Sequence, residues 1–192
     1  MNSYNKFLES KEIKHIYSGF SIKKSELNNK LFDFQKDIVK WALKLGKAAL
    51  FEDCGLGKTF QQLEWAKYVC KYTKGNVLIL APLAVNMQTK EEGNKFGIKV
   101  NVCECQDDVD QGINITNYEK LHKFDTSKFL GVVLDESSIL KNYSGKYRNL
   151  IISSFKHTPY KLACTATPAP NDFIELGNHS EFLDVMTRSE ML

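Results

Sequence analysis

The chain has 192 residues, enough for one sizeable hydrophobic core but short of two full lobes. With 43% hydrophobic and 26% charged residues it reads as an ordinary soluble globular protein, and no apolar run has the length of a membrane span or the form of a signal peptide. The net charge of +3 is too mild to demand or exclude nucleic acid, and only Arg148 and Arg188 among 26 basic residues are arginines, so arginine-finger chemistry has almost no candidates here.

Residues 1–30 are polar and lysine-rich, with Ser18-Gly19 interrupting any long helix, and read as a peripheral arm. From Leu31 to Leu45 the apolar residues Leu31, Phe34, Ile38, Trp41, Ala42 and Leu45 recur every three or four positions, one helical stripe that ends at Gly46. Ala48-Ala49-Leu50-Phe51 is strand-like. It leads into Asp53-Cys54-Gly55-Leu56-Gly57-Lys58-Thr59, and the helix-compatible run Phe60 to Ala66 follows. Val77 to Ala81 suits a buried parallel strand, and Leu83 to about Phe96 a helix stopped by Gly97. Lys99 to Cys105 alternates like a strand, which would put Cys103 and Cys105 on one face; a polar loop then runs to Gly112. Ile113 to Asn117 is a brief strand, Glu119 to Phe124 a short helix, and Phe129 to Leu134 the most strand-like run of all, ending at Asp135-Glu136. A helix from Lys146 to Phe155, a strand from Tyr160 to Thr165 and a final helix near Asn171-Asp172, with Asn171 as its cap, complete the series.

Strands alternating with helices predict an α/β fold: a parallel sheet between two helical layers, with its binding crevice at the C-terminal strand ends. Each chemistry-bearing motif falls at such an end. Strand, glycine-containing loop ending in Gly-Lys-Thr, then helix is the arrangement that cradles phosphates. Backbone N–H groups of Asp53 to Gly57 face the anion, Lys58 reaches the outer phosphates, and Thr59 offers its hydroxyl to magnesium. The usual pattern opens with Gly, and here that position is Glu52.

On its own Asp135-Glu136 is a solvated acidic pair. Beside a phosphate loop, Asp135 becomes the magnesium-holding carboxylate and Glu136 the group that orients and deprotonates the attacking water. Gln35, about twenty residues before Lys58, can hydrogen-bond both N6 and N7 of adenine and so select ATP. Thr165 and Thr167, in Thr165-Ala166-Thr167-Pro168, either sense the terminal phosphate or form a plain hydroxyl turn. The five cysteines, Cys54, Cys70, Cys103, Cys105 and Cys164, are odd in number and scattered, a poor zinc pattern. They are expected to be reduced, buried thiols of a cytoplasmic protein.

Together these residues resemble the superfamily 2 helicases and translocases, in the Swi/Snf-like branch and nearest its short phage and bacterial DNA helicases. There the loop usually reads Asp-Glu-x-Gly-Leu-Gly-Lys-Thr, so an acidic residue at position 52 is expected. Phe34-Gln35 resembles the adenine-reading Q motif, Asp135-Glu136-Ser137-Ser138 motif II, and Thr165-Ala166-Thr167-Pro168 motif III. Ala81-Pro82-Leu83 resembles motif Ia and Ile115-Thr116-Asn117-Tyr118-Glu119 motif Ib, both of which touch DNA in the family. The resemblance implies a RecA-like P-loop NTPase domain over residues 31–192, an ATP- and magnesium-dependent DNA helicase or translocase lobe acting on double-stranded DNA. It also implies DNA contacts from Pro82, Leu83, Thr116, Asn117, Tyr118, Lys141 and Asn142. Two departures stand out: Ser138 replaces a histidine of many relatives, and nothing resembles the second RecA-like lobe with its arginine fingers, which is expected in cis or in trans. Two rival readings fit the same residues, a nucleotide-binding adaptor without motor activity and another P-loop phosphotransferase such as a small-molecule kinase.

Overall fold

The structure, a computed structural model, describes residues 17–141, 145–169, 171, 173–187 and 190. Within them β1 (Lys47–Phe51), β2 (Asn76–Ala81), β3 (Val100–Val102), β4 (Ile113–Asn117), β5 (Phe129–Asp135) and β6 (Tyr160–Thr165) form one parallel sheet, in the order β1-β6-β5-β2-β4-β3. The helices are α1 (Asp33–Leu45), α2 (Lys58–Thr73), α3 (Asn86–Lys95), α4 (Lys146–Ser154) and α5 (Leu176–Phe182).

Val77–Ala81 of β2 and Phe129–Leu134 of β5 are unbroken apolar runs because both faces of the sheet are covered. Val77, Ile79 and Ala81 of β2 pack into one core with Val39 and Leu43 of α1 and Leu63 and Trp65 of α2. Leu78 and Leu80 face the opposite core, with Ile151 of α4, Phe155 and Phe182 of α5. The sheet is therefore the middle of three layers, as the alternation of elements predicted.

Several boundaries move, each for a local reason. The helix expected from Leu31 begins at Asp33, and the Gln35 side chain accepts from the backbone N–H of Phe32 at 3.0 Å to close its first turn. The helix expected from Leu83 splits into a 3-10 turn, Leu83–Val85, and α3. Strand β3 stops at Val102 because the Asp108 carboxylate accepts from the N–H groups of Glu104 and Cys105, at 2.9 and 3.1 Å, and curls the chain. Cys103 is therefore buried while Cys105 is half-buried beyond the strand. Asn171 does not cap α5; a 3-10 turn, Phe173–Glu175, intervenes, and the Asn171 amide instead donates to Glu175 at 2.9 Å. Cys54 is exposed, against the expectation of a buried thiol.

Of the span read as an arm, residues 1–16 lie outside the described residues. The remainder is tied to the helices: N–H groups of Ser18, Gly19 and Phe20 donate to the carbonyls of Leu45, Lys44 and Leu43 at 3.2, 3.3 and 3.0 Å, satisfying the otherwise orphaned end of α1. Phe20 stacks on Tyr72 at 4.0 Å, Leu27 enters the core, and the fully buried Glu64 of α2 accepts from Asn28 N–H at 2.8 Å. No helix among the described residues is long and apolar enough to cross a membrane.

Candidate functional site

The ends of β1, β6, β5, β2 and β4 open on one rim of the sheet, the edge where parallel α/β folds bind ligands. Glu52 to Gly57 link β1 to α2, and Gly55 and Gly57 take φ of 83° and 78°. Any other residue at Gly57 would be strained: the backbone is left-handed, and a Cβ there would lie 2.5 Å from Gln35 Nε2 and displace that amide. The loop delivers the unpaired N–H groups at the start of α2 to the rim, where an anion can meet them. Lys58 Nζ lies over the loop, donating to the carbonyls of Glu52 and Asp53 at 2.7 and 2.8 Å.

Two buried glutamines hold this loop from behind. Gln35 Nε2 donates to the Leu56 carbonyl at 2.8 Å, and Gln61 Nε2 donates to Glu52 Oε2 at 2.7 Å and to the same carbonyl at 3.3 Å. Burial pushes the Glu52 carboxyl above its ordinary value, against the Gln61 hydrogen bond and the charge of Lys58. Gln35, expected to read a base, thus spends one donor and one acceptor on backbone, leaving one N–H and one lone pair of its amide outside those two bonds.

Asp135, at the end of β5, accepts from Gln62 Nε2 at 2.8 Å. Burial pushes its carboxyl above the usual value, and the charge of Glu136 adds to that. Thr59 is three residues before Gln62 on α2 and lies on the same helix face, the face that meets Asp135 through Gln62. These hard oxygen donors fit magnesium, which binds through one or two protein ligands and completes its octahedron with phosphate oxygens and water. Among the described residues no cluster of three His, Cys, Asp or Glu offers a full protein cage.

Glu136 is exposed and takes φ of 58°, a left-handed conformation uncommon for a residue with a Cβ. Thr165 Oγ1 and Ser138 Oγ both donate to its Oε1, at 2.7 and 2.8 Å, and Thr167 N–H donates to Thr165 Oγ1 at 3.1 Å. Thr165-Ala166-Thr167 is therefore a hydroxyl turn and a contact to the acidic pair at once. Ser138, the departure from the family pattern, has a partner in the same carboxylate. The neighbouring Ser137 Oγ meets His179 Nε2 at 3.1 Å, with both residues buried, and His179 also sets its ring edge against Phe51, the residue before the loop. Burial holds the His179 imidazole below its usual value.

The residues expected at DNA divide. Leu83 is 66% exposed, Lys141 is exposed and Pro82 is half-buried. Thr116, Asn117 and Tyr118 are turned inward, correcting the expectation that they present donors to phosphates. Asn117 Oδ1 accepts from Lys120 N–H at 3.0 Å, and Tyr118 donates its hydroxyl to the Asp135 carbonyl at 2.7 Å. Asn142 lies outside the described residues, as does Arg188. Arg148 is engaged with Asn178, Asn149 and Glu181.

Gln61, Gln62 and His179 were missed at the sequence level. The signal for the first two was slight: a Gln-Gln pair one residue beyond Gly-Lys-Thr, whose burial in the run from Phe60 to Ala66 only the structure shows.

Fold and site together define a RecA-like lobe bearing a phosphate loop and a paired-carboxylate strand end. Residues 34–189 match the SNF2-related domain, and the chain belongs to that family. It is 30% identical over 163 residues to SWI/SNF-related matrix-associated actin-dependent regulator of chromatin subfamily A-like protein 1 of Xenopus tropicalis, over 79% of this chain and 17% of that protein. It is 25% identical over 169 residues to the SWI/SNF chromatin-remodeling complex subunit snf22 of Schizosaccharomyces pombe, over 76% of this chain and 10% of that one. The chain thus spans about a sixth or less of the curated relatives it matches. Among solved structures, the Sulfolobus solfataricus SWI2/SNF2 ATPase core in complex with dsDNA superposes with a TM-score of 0.73 at 24% identity, over 89% of this chain and 40% of that one. The UvsW helicase of bacteriophage T4 gives 0.67 at 18% identity, over 96% and 66%.

Proposed function

We propose that this chain is the ATP-binding lobe of a DNA translocase or helicase, hydrolysing ATP to ADP and phosphate in concert with a second RecA-like lobe on double-stranded DNA. One observation carries the reading: Glu136, next to the metal-suited Asp135, is held by Thr165 at 2.7 Å on the same rim as Lys58 and its loop. Family membership and the duplex bound by the archaeal neighbour support DNA as the track. The five free cysteines fit the cytoplasm of a bacterium or a phage-infected cell.

The loop N–H groups and Lys58 take the phosphates, and Gln35 meets the adenine edge with its remaining donor and acceptor. Magnesium, held by Thr59 and Asp135, would neutralise charge on the outer phosphates. Glu136 orients the attacking water and takes its proton. Both hydroxyl donors sit on Oε1 and the residue is exposed, so Oε2 is the oxygen that meets water. The run from Thr167 N–H through Thr165 to Glu136 gives the terminal phosphate a route to the base. Leu83 and Lys141 remain on the surface for DNA. Arg148, the arginine among the described residues, is committed within the lobe, and we assign the arginine finger to the partner lobe; its lack costs about 10³ to 10⁵ in rate in NTPases that use one.

The test is ATP turnover with and without duplex DNA, for the chain and for Glu136→Gln. Slow turnover that disappears in the variant, while ATP still binds, is expected. Unchanged turnover in the variant would remove the assigned base, and fast DNA-stimulated turnover by this chain alone would contradict the need for a second lobe.

A further inference from the structure

Tyr118 lies just past β4, yet its hydroxyl serves β5. The two strands are not neighbours, since β2 runs between them, so the side chain crosses the end of β2 to reach the Asp135 carbonyl at 2.7 Å. It does so from inside the core, 3% exposed and packed with Leu121, Leu134 and Leu140. The accepting carbonyl belongs to the peptide that joins Asp135 to Glu136, immediately before the left-handed φ of 58°. Such a conformation persists only where its surroundings over-determine it. Here Thr165 and Ser138 hold the Glu136 carboxylate from one side, and Tyr118 holds the preceding peptide from the other. The plane of that peptide sets the directions in which both acidic side chains leave the strand.

The other end of this link is also rigid. Asn117 caps the 3-10 turn Tyr118–Lys123 through Lys120 N–H, and the basic end of that turn, His122 and Lys123, is exposed. A displacement of the turn by a bound partner has to move the Tyr118 ring, and with it the Asp135–Glu136 peptide. We propose that Tyr118 is a positioning residue that ties the turn after β4 to the two carboxylates, so that contact of duplex DNA at this turn is registered as reorientation of Glu136. The proposal rests on the reading of Glu136 as the water-orienting base. It also explains why Thr116-Asn117-Tyr118, placed by sequence pattern among the DNA-touching motifs, has its side chains turned inward: the segment transmits contact rather than making it.

The experiment is single-turnover hydrolysis of radiolabelled ATP, with the whole 192-residue chain in excess, with and without duplex DNA, beside a binding titration with a fluorescent ATP analogue. Tyr118→Phe keeps the ring and its packing and removes one O–H. The expected result is a rate constant about 10-fold lower with analogue affinity unchanged, and a plus-DNA to minus-DNA ratio that falls toward one. Wild-type rate and ratio in Tyr118→Phe would overturn the link, as would equal losses of rate and affinity accompanied by a lower melting temperature, the mark of a packing role. Glu136→Gln is measured in parallel to separate the two levels. If it hydrolyses ATP at the wild-type rate, the reading of the site fails. If it is inactive while Tyr118→Phe is indistinguishable from wild type, only the link fails.

Discussion

Strand β6 carries a polar side chain near each end, and the two are treated in opposite ways. Near its start Lys161 is 1% exposed, and Nζ donates to the Phe182 carbonyl at 2.9 Å and to Asp184 at 2.7 Å, while Lys47 at the start of β1 donates to the same Asp184 oxygen at 2.7 Å. At its finish Thr165 donates to Glu136, an exposed carboxylate on a left-handed backbone beside an Asp135 that burial raises against the weaker opposing charge of Lys58. Charge at the lower end is closed within the fold. At the upper rim it is held under strain and short of full pairing, which is the arrangement functional sites keep.

The sharpest way to break this comparison is to mutate one lysine at each end. Lys58→Ala should reduce ATP turnover by about 10² to 10³-fold, measured as phosphate release, because it removes a donor aimed at the developing phosphate charge. Its urea midpoint should barely change, since Lys58 bonds only loop carbonyls at the surface. Asp184→Asn should do the reverse, costing about 1.5–3 kcal/mol in urea unfolding with ATP affinity untouched. Stability loss in the first or affinity loss in the second would dissolve the distinction between the ends.

The same pair gives a pH signature. Burial pushes the Asp184 carboxyl up, but Lys161 and Lys47 outweigh it and hold it below its ordinary value. A depressed carboxyl contributes stability that is complete above its unfolded value, about pH 4, and drains away as pH falls through the lower folded value. Urea unfolding of the wild type should therefore weaken through that acid limb, and Asp184→Asn should flatten it. Burial lowers the Lys161 ammonium, with Asp184 opposing. The exposed carboxyls of Asp108, Asp110, Asp125 and Glu190 are also held below their ordinary values, so a remainder of the acid limb persists in the variant.

Gln61→Leu is smaller and cuts across the division. It removes the donor to Glu52 and one of two amides on the Leu56 carbonyl, so about 1 kcal/mol of stability and some ATP affinity should go together. Affinity kept at the wild-type value would mean that Gln35 alone fixes the loop.

The two ends also differed in how much of them could be read in advance. The upper rim was legible because a phosphate loop, a paired acid and a Thr-x-Thr each follow an apolar run, and strand ends converge in a parallel sheet. The sheet itself was legible because buried strands read as unbroken apolar runs. The lower end was not: nothing in Tyr160-Lys161-Leu162 marks a buried lysine, since its partner Asp184 is 23 residues away and meets it only after α5 has packed. The inward turn of Tyr118 was hidden for the same reason, its acceptor being a carbonyl two strands over, and a hydroxyl's direction leaves no trace in spacing.

The mildest test leaves the fold and chemistry alone and asks only where ATP sits. Cys54 is an exposed thiol in the loop beside Lys58, while Cys103 and Cys164 are buried. Burial pushes the Cys70 and Cys103 thiols up to about 11, so near neutral pH neither offers much thiolate. Cys105 is half-buried and lies 3.6 Å from the Asp108 carboxylate. A maleimide should therefore modify Cys54 first, as read by peptide mass spectrometry, and saturating ATP with magnesium should slow that reaction while leaving the minor labelling of Cys105 unchanged. Protection at both thiols would indicate general tightening of the lobe. Cys54 labelling indifferent to ATP would detach the loop from the nucleotide, and with it the reason for leaving the upper rim of the sheet less closed than the lower.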